Sequence, residues 1–196
     1  MFQYINLNNF LALYNVVCDR TYDYYQNFSL LFSMKTPRIY PHVSFIDAYA
    51  TFFNEPTHII DNIYIGSAYN AANIDQLKQL NIGLVINVTP DISNYFTTDF
   101  IYKQYPIDDN GIEKMTQYFL SSYDTIIKQN ELYPTQNILV HCYMGASRSV
   151  CIVLYYIIKM KKCSIEEAIN IIQHKRQIIN PSIRFYNDLI EEYSKL

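Results

Sequence analysis

One stretch of the chain constrains the fold more than any other: a short apolar segment, a seven-residue loop and a longer apolar segment. Residues 138–141 are typical of a buried strand, and residues 149–160 of a buried helix. The loop between them, residues 142–148, is named the cysteine loop here because it begins with Cys142; it ends with Arg148. A strand that passes through a tight loop into a helix is the basic unit of an α/β fold.

The same alternation of strands and helices continues over most of the chain. Of its 196 residues, 50% are hydrophobic and 17% charged, which is enough apolar material for one core. We expect an α/β domain at residues 56–196, with a central, mostly parallel twisted sheet of four to five strands flanked by helices. Residues 1–55 are expected to form an N-terminal extension, with one amphipathic helix over residues 2–17 and an irregular segment after it.

Hydrophobic periodicity predicts four strands and five helices within this domain. The strands are expected at residues 60–65, 84–88, 101–105 and 138–141, and the helices at residues 71–80, 114–128, 149–160, 164–176 and 182–193. Ser164 followed by Glu167 is typical of a capping box and marks the start of the fourth helix.

The cysteine loop has the features of an anion site. A loop between the carboxyl end of a strand and a helix N-terminus directs backbone N–H groups and the positive end of the helix dipole at one place. That environment favours the thiolate of Cys142 as a nucleophile. Arg148 can hold two oxygens of a tetrahedral anion at once, and Gly145 permits a sharp turn with positive φ.

The other residues of this stretch have supporting roles in the prediction. Ser149 is expected to hydrogen-bond the sulfur and help it leave, and His141 to orient the loop through its ring N–H. The loop residues expected to line the substrate site are Tyr143, Met144, Gly145, Ala146 and Ser147. The alternative is a buried structural cysteine near an unrelated arginine, but the fixed spacing between a strand and a helix favours a functional site.

The motif His141-Cys142-x-x-Gly145-x-x-Arg148-Ser149 resembles the signature of the cysteine-based protein tyrosine phosphatases. Segments within residues 63–89 are similar to the first strand, helix and second strand of the dual-specificity branch, and the resemblance covers about residues 57–196. It implies a small, atypical dual-specificity phosphatase without a rhodanese-like docking domain. Such an enzyme hydrolyses phosphotyrosine and phosphoserine or phosphothreonine through a phosphocysteine, with no metal and no organic cofactor.

An alkoxide leaving group needs a proton from a positioned acid. Residues 105–111, Tyr-Pro-Ile-Asp-Asp-Asn-Gly, follow a predicted strand and resemble the general-acid loop of the family; they are named the acid loop here. The resemblance places the general acid and base at Asp109, with Asp108 as the second choice. A solvated turn rich in Asp, Asn and Gly is the alternative interpretation of this segment.

A third segment, Arg176-x-x-Ile179-Asn180-Pro181-Ser182, is similar to the last inter-helix turn of the family. The family usually has Asn directly after the proline, where it braces the catalytic loop. This chain has Ser182 there, which puts that contact in doubt, with Asn180 as a substitute. At most we expect a slower or less rigid enzyme.

The expected partner is a phosphorylated protein. A net charge of −3 argues against nucleic acid, and the longest apolar run, residues 150–158, has about half of the ~20 residues that span a bilayer, so no membrane partner is expected. The apolar face of residues 2–17 leaves a homodimer through that helix open.

Cysteines without C-x-x-C spacing indicate a reducing, cytoplasmic location, while Ser194-Lys195-Leu196 matches a peroxisomal address.

Two other functions use a similar loop. One is a catalytically silent module that binds phosphoproteins, which usually lacks part of the set Cys142, Arg148 and Asp109. The other is rhodanese-like sulfur transfer, against which the acid loop and the similarity over residues 63–89 argue. The intact set favours an enzyme.

Overall fold

A five-stranded sheet lies at the centre of the structure, a computed structural model that describes residues 45–110 and 112–195. Its strands are β1 Thr57–Ile60, β2 Ile63–Gly66, β3 Ile82–Asn87, β4 Ile101–Gln104 and β5 Asn137–His141. In space they follow the order β1-β2-β5-β3-β4. The β1–β2 pair is antiparallel and the other pairs are parallel, which confirms the expected α/β fold with a mostly parallel sheet.

Helices cover this sheet. In the described residues they are α1 Phe45–Phe53, α2 Ala68–Ala71, α3 Ile74–Gln79, α4 Thr116–Leu132, α5 Arg148–Lys161, α6 Ile165–Lys175 and α7 Ile183–Tyr193. The last four lie close to the ranges that periodicity predicts. The capping box of α6 is present, since the side chains of Ser164 and Glu167 each accept from the backbone N–H of the other.

Helix α5 is the central helix of the fold. Residues 148–158 are all buried because α4, α6, α7 and the sheet pack around it, as expected for a helix that is apolar on every side. Among the described residues, no helix combines the length and the apolar character needed to span a membrane.

Strand β5 is the middle strand of the sheet and β3 lies beside it, and nearly all residues of these two strands are buried. Gly66, Asn87 and His141, the last residues of β2, β3 and β5, are aligned in register. The segments that follow these three strands therefore leave the sheet at the same edge. In open α/β sheets, this carboxyl edge is where ligands bind.

The single strand expected at residues 60–65 is wrong. A turn at Asp61 and Asn62 divides this stretch into β1 and β2, which pair as a hairpin. Asp61 has φ 49°, a left-handed conformation that Asp and Asn tolerate better than β-branched residues. The Asn62 side chain donates to the Gln136 carbonyl over 2.7 Å, which fixes the turn.

The single helix expected at residues 71–80 is also wrong, because α2 and α3 are separate. Each has its own side-chain N-cap: Ser67 accepts from the N–H of Asn70, and Asn73 accepts from the N–H of Gln76. An asparagine that caps a new helix interrupts the preceding one, since its oxygen satisfies the N–H groups of a fresh first turn.

Helix α1 lies where an irregular segment is expected. Phe52 is only 2% exposed, and its backbone carbonyl accepts from the Ser67 hydroxyl over 2.7 Å. The carbonyl of Asn54 accepts from the Asn70 side chain, also over 2.7 Å. The helix predicted at residues 2–17 lies outside the described residues, and the domain boundary at residue 56 stays a prediction.

Candidate active site

Cys142 follows the last residue of β5 and opens the cysteine loop. Its side chain is 2% exposed, and its Sγ lies 3.3 Å from the Oγ of the buried Ser149. Because Ser149 is in the first turn of α5, the sulfur lies at the N-terminus of the central helix. The strand-loop-helix unit thus brings Cys142 and Ser149 together.

The pKa of the Cys142 thiol results from opposing effects. Burial raises it, but the charge of Arg148 and the hydrogen bonds from the Ser149 hydroxyl lower it, as do the backbone N–H groups of Ser147 and Ser149. Together the lowering effects prevail, and the pKa of Cys142 lies below its usual value. A larger fraction of this thiol is therefore ionised at neutral pH than in an ordinary cysteine.

Arg148 is the first residue of α5 and is 8% exposed. Its Nη1 donates to the carbonyl of Ile107, in the acid loop, over 2.9 Å. Its Nε is buried and has no hydrogen-bond partner within residues 45–110 and 112–195. Since a buried donor is rarely left unsatisfied, this N–H is suited to an anion bound in the cysteine loop.

His141 is the last residue of β5 and is fully buried. Its Nδ1 lies 3.3 Å from the Cys142 carbonyl oxygen; because a carbonyl only accepts, Nδ1 carries the proton. Burial above all lowers the pKa of His141 to about 4, with the hydrogen bond to Cys142 opposing and the charge of Arg148 adding to the effect. The imidazole is therefore neutral at physiological pH and contacts the backbone of the loop.

The backbone carbonyls of residues 142–147 all accept hydrogen bonds from outside the loop or from the helix that follows it. We name these contacts the outer hydrogen bonds. In chain order they are His141 Nδ1 to Cys142 (3.3 Å), Ala68 N to Tyr143 (2.9 Å), Arg176 Nη2 to Met144 (3.1 Å), Arg176 Nε to Gly145 (2.7 Å), Asn180 N to Ala146 (2.7 Å) and Cys151 N to Ser147 (3.1 Å).

Gly145 adopts φ 67°, which confirms the positive φ expected at this turn. A Cβ at this position would lie 2.4 Å from the Gly66 carbonyl oxygen and 2.6 Å from Arg176 Nη2. Both the backbone conformation and the close approach of these neighbours therefore require glycine.

The turn that precedes α7 contacts the cysteine loop through backbone groups. The N–H of Asn180 donates to the Ala146 carbonyl over 2.7 Å, and the N–H of Ser182 to the Ser147 hydroxyl over 3.3 Å. The Ser182 side chain instead caps α7, where it accepts from the N–H of Phe185. Bracing by backbone N–H groups persists with serine at position 182.

The two candidate acids of the acid loop have different surroundings. Asp108 is exposed and its carboxylate accepts from the Asn110 side chain over 3.0 Å. Asp109 is half-buried, and its Oδ1 is withdrawn from solvent. The contact between Arg148 and Ile107 attaches the start of this loop to the cysteine loop, so the structure brings the acid loop to the site.

The remaining loop residues differ in exposure: Gly145 and Ser147 are buried, whereas Tyr143, Met144 and Ala146 are half-buried. The Tyr143 ring packs near the Phe52 ring of α1, with 5.8 Å between centroids. Neither this contact nor the contacts of Ala68 and Arg176 with the loop are predictable from the sequence pattern. Arg176 lies in the segment Arg176-x-x-Ile179-Asn180-Pro181-Ser182, but only the tertiary structure shows where its side chain lies.

The family described as "Dual specificity phosphatase, catalytic domain" matches residues 63–195. Human dual specificity protein phosphatase 9 is 33% identical over 138 residues, which are 69% of this chain and 35% of that protein. The crystal structure of the human tyrosine phosphatase-like serine/threonine/tyrosine-interacting protein superposes with a TM-score of 0.67 at 25% identity and covers 72% of this chain and 97% of that chain. The structure of DUSP15 also gives a TM-score of 0.67 at 25% identity, over 71% and 88% of the two chains.

The matched range contains the cysteine loop, the acid loop and the turn before α7, and it excludes α1. This chain spans about a third of the length of the curated relatives it matches. Since the family covers about two thirds of the chain, and includes the loop on which the site is built, the chain belongs to the dual specificity phosphatase catalytic-domain family.

Proposed function

We propose that this chain hydrolyses phosphotyrosine and phosphoserine or phosphothreonine in proteins, through a phosphocysteine intermediate. The observation that carries the proposal is the buried Cys142 sulfur with its lowered pKa, 3.3 Å from Ser149 at the N-terminus of α5. Membership of the family supports the same activity. A thiol whose pKa is lowered ionises more readily than an ordinary cysteine and depends less on a separate base to activate it.

In the first step, the Cys142 thiolate attacks phosphorus. A sulfur–phosphorus bond forms, the bond to the ester oxygen breaks, and that oxygen takes a proton from Asp109. The half-buried position of Asp109 supports this choice of acid, since Asp108 is exposed and its carboxylate accepts from the Asn110 side chain. The products are a free hydroxyl group and the phosphocysteine.

In the second step, water attacks phosphorus and gives a proton to the Asp109 carboxylate. The sulfur–phosphorus bond breaks and its electron pair returns to Cys142. The Ser149 hydroxyl stabilises the departing thiolate, a role that its 3.3 Å distance from the sulfur supports. Inorganic phosphate leaves, and Asp109 is again protonated for the next cycle.

Arg148 binds two oxygens of the transferred group in this scheme. Its planar guanidinium suits bidentate contacts with phosphate, and its buried Nε, without a partner in the described part of the chain, would be satisfied by one of these oxygens. Charge on the phosphoryl oxygens changes during transfer, so a fixed cation next to them lowers the barrier. The same side chain contacts the acid loop through Ile107.

The proposal extends to the partner of the chain, its location in the cell and its oligomeric state. Phosphorylated protein is the proposed partner, and the net charge of −3 supports a substrate other than nucleic acid. A cytoplasmic location suits a thiolate nucleophile, which must stay reduced; a fluorescent reporter carrying Ser194-Lys195-Leu196 at its end tests peroxisomal import. Sedimentation of the full chain against a chain without residues 1–20 tests the homodimer.

A second candidate is a module that binds phosphoproteins without hydrolysing them. It is favoured by the structural likeness to a protein whose name describes it as phosphatase-like and interacting. Both functions require the cysteine loop to hold a phosphate group, but only hydrolysis requires the sulfur to react. Turnover separates the two.

The test is hydrolysis of a chromogenic aryl phosphate and of phosphotyrosine and phosphothreonine peptides, with EDTA present. We expect turnover that disappears in Cys142→Ser and falls by orders of magnitude in Arg148→Ala, while Cys163→Ser, at a half-buried cysteine outside the site, retains it. Rapid quench of labelled substrate in alkaline denaturant, in which an S–P bond is stable, should trap phosphate on Cys142. A folded wild-type protein that binds these peptides without turnover would contradict the proposal and support the binding module.

A further inference from the structure

The outer hydrogen bonds of the cysteine loop come from widely separated parts of the chain. Ala68 lies 75 residues before the carbonyl that it contacts, while Arg176 lies 31 and 32 residues after its two carbonyls. Among the described residues, Arg176 holds two neighbouring carbonyls of the loop, those of Met144 and Gly145, with one side chain.

Peptide geometry gives these contacts a consequence for the inside of the loop. In a trans peptide unit, the C=O of one residue and the N–H of the next point in opposite directions. A carbonyl held on the outer side of the loop therefore turns the following N–H toward the inner side, where the Cys142 sulfur lies. The hydrogen bond from the Ser147 N–H to Cys142 agrees with this orientation, since the preceding carbonyl, of Ala146, is held by Asn180.

The Arg176 side chain is fixed on every side. It is 1% exposed, and its third nitrogen, Nη1, donates to the Thr57 hydroxyl of β1 over 2.9 Å. Its Nη2 would lie 2.6 Å from any Cβ at position 145, so it packs directly over Gly145. A guanidinium so enclosed cannot reach a substrate, and its contacts act through the backbone of the loop.

We propose that Arg176 is a positioning residue for the phosphate site: by holding the Met144 and Gly145 carbonyls outward, it directs the N–H groups of Gly145 and Ala146 at the bound phosphate. This inference rests on the proposed function for its substrate, but it concerns binding of the anion itself. Arg176 also places a buried positive charge near the Cys142 sulfur, with which it interacts electrostatically. Lysine lacks the planar fork that reaches two carbonyls at once.

The experiment compares Arg176→Met with Lys175→Met. Lys175 is a matched control because it is the preceding basic residue and also donates to a backbone carbonyl, that of Ile59 in β1 over 2.7 Å. Binding of tungstate, a tetrahedral stand-in for phosphate, is measured by calorimetry. The ionisation of Cys142 is followed through the pH dependence of its alkylation by iodoacetamide, and kcat and KM are measured on an aryl phosphate.

We expect Arg176→Met to weaken tungstate binding by about tenfold, because two donors of the site lose their orientation. It should also move the alkylation profile of Cys142 to higher pH and lower kcat. Arg176→Lys should keep the profile closer to that of the wild type and still bind tungstate weakly. Lys175→Met should match the wild type in all three measurements.

A second variant keeps the test decisive if Arg176→Met does not fold. Thr57→Val leaves the guanidinium in place and removes only its anchor on β1, so a smaller loss of tungstate affinity, about two- to threefold, is expected. Tungstate affinity that is unchanged in both Arg176→Lys and Thr57→Val would overturn the inference. If the wild-type protein binds tungstate, the Arg176 variants bind it more weakly and no turnover is seen, the proposed function is contradicted and this inference is supported.

Discussion

Arg148 donates a hydrogen bond from Nη1 to the carbonyl oxygen of Ile107 over 2.9 Å. This contact joins the cysteine loop to the acid loop. Arg148 and Ile107 lie 41 positions apart in the chain. Four residues beyond the acid loop, the Met115 N–H donates to the buried carboxylate of Asp188 in α7. Asp108 and Asp109 thus lie between two points of the chain that are held by hydrogen bonds.

The first prediction concerns which carboxylate is the acid. Asp109→Asn should lower kcat by about 10²-fold or more on an unactivated phenyl phosphate, and by much less on a substrate with a strongly acidic leaving group, which needs no proton. Asp108→Asn is the matched control, since its exposed side chain contacts Asn110. Steady-state kinetics on the two substrates measure both effects. The reverse pattern would assign the acid to Asp108.

The second prediction concerns the hydrogen bond between Ser149 and Cys142. Ser149→Ala removes a contact that lowers the pKa of the thiol, so the pKa of Cys142 should rise. The acidic limb of kcat/KM should move to higher pH, because less thiolate is present at a given pH. Ser122→Ala removes another buried hydroxyl, one that donates to Phe119 in α4, and should leave the limb in place. Identical profiles for the two variants would contradict the prediction.

The third prediction is a loss of stability in mild acid. Burial lowers the pKa of His141 from 6.5 to about 4, so between these values the unfolded chain binds a proton that the folded chain does not. The free energy of unfolding should therefore fall as the pH drops from about 6.5 toward about 4, by about 3 kcal/mol from this residue. Urea denaturation at a series of pH values measures the slope.

Two variants isolate the contribution of His141. His141→Asn keeps an N–H donor near the Cys142 carbonyl but cannot titrate, so the decrease in stability over this pH range should become shallower. His174→Gln removes an exposed histidine and should retain the wild-type slope. If His141→Asn loses stability in acid as steeply as the wild type, another group causes the effect.

The fourth prediction tests the attachment of α1. Phe52 is 2% exposed and packs near Tyr143, whereas its neighbour Phe53 is half-buried and packs on Tyr69. Phe52→Ala should cost about 3 to 5 kcal/mol of unfolding free energy and lower kcat/KM through the cysteine loop. Phe53→Ala should cost clearly less and change kcat/KM little. Equal effects of the two variants would argue against a specific contact between α1 and the loop.

The fifth prediction compares two glycines. Gly145→Ala places a Cβ 2.4 Å from the Gly66 carbonyl in a backbone with φ 67°, so phosphate binding and activity should be lost, even where the protein folds. At Gly83 the two nearest atoms are the amide oxygen and carbon at the end of the Gln136 side chain, which can move away, and the third is the Gln136 Cβ at 2.9 Å. Gly83→Ala should therefore remain active with a modest loss of stability, measured by thermal unfolding. Full activity of Gly145→Ala would contradict the geometry of the turn.

Local features of the sequence predicted much of the architecture. The apolar segments around the cysteine loop gave the correct strand and helix because both are buried on all sides and contain no breaker. The capping box at Ser164 is also correct, because all of its atoms lie within four consecutive residues. Prediction failed where polar side chains changed the backbone path, at the Asp61 turn and at the Asn73 cap.

The sequence by itself determined the order of Cys142, Gly145, Arg148 and Ser149 on one strand-loop-helix unit, because residues so close in the chain have little freedom once the unit forms. The tertiary structure alone decided what holds that unit in place. The donors from Ala68, Arg176 and Asn180 reach the loop only after the sheet and the helices have packed. Contacts between residues 31 to 75 positions apart depend on the whole fold, since no local pattern specifies which donor will reach a given carbonyl.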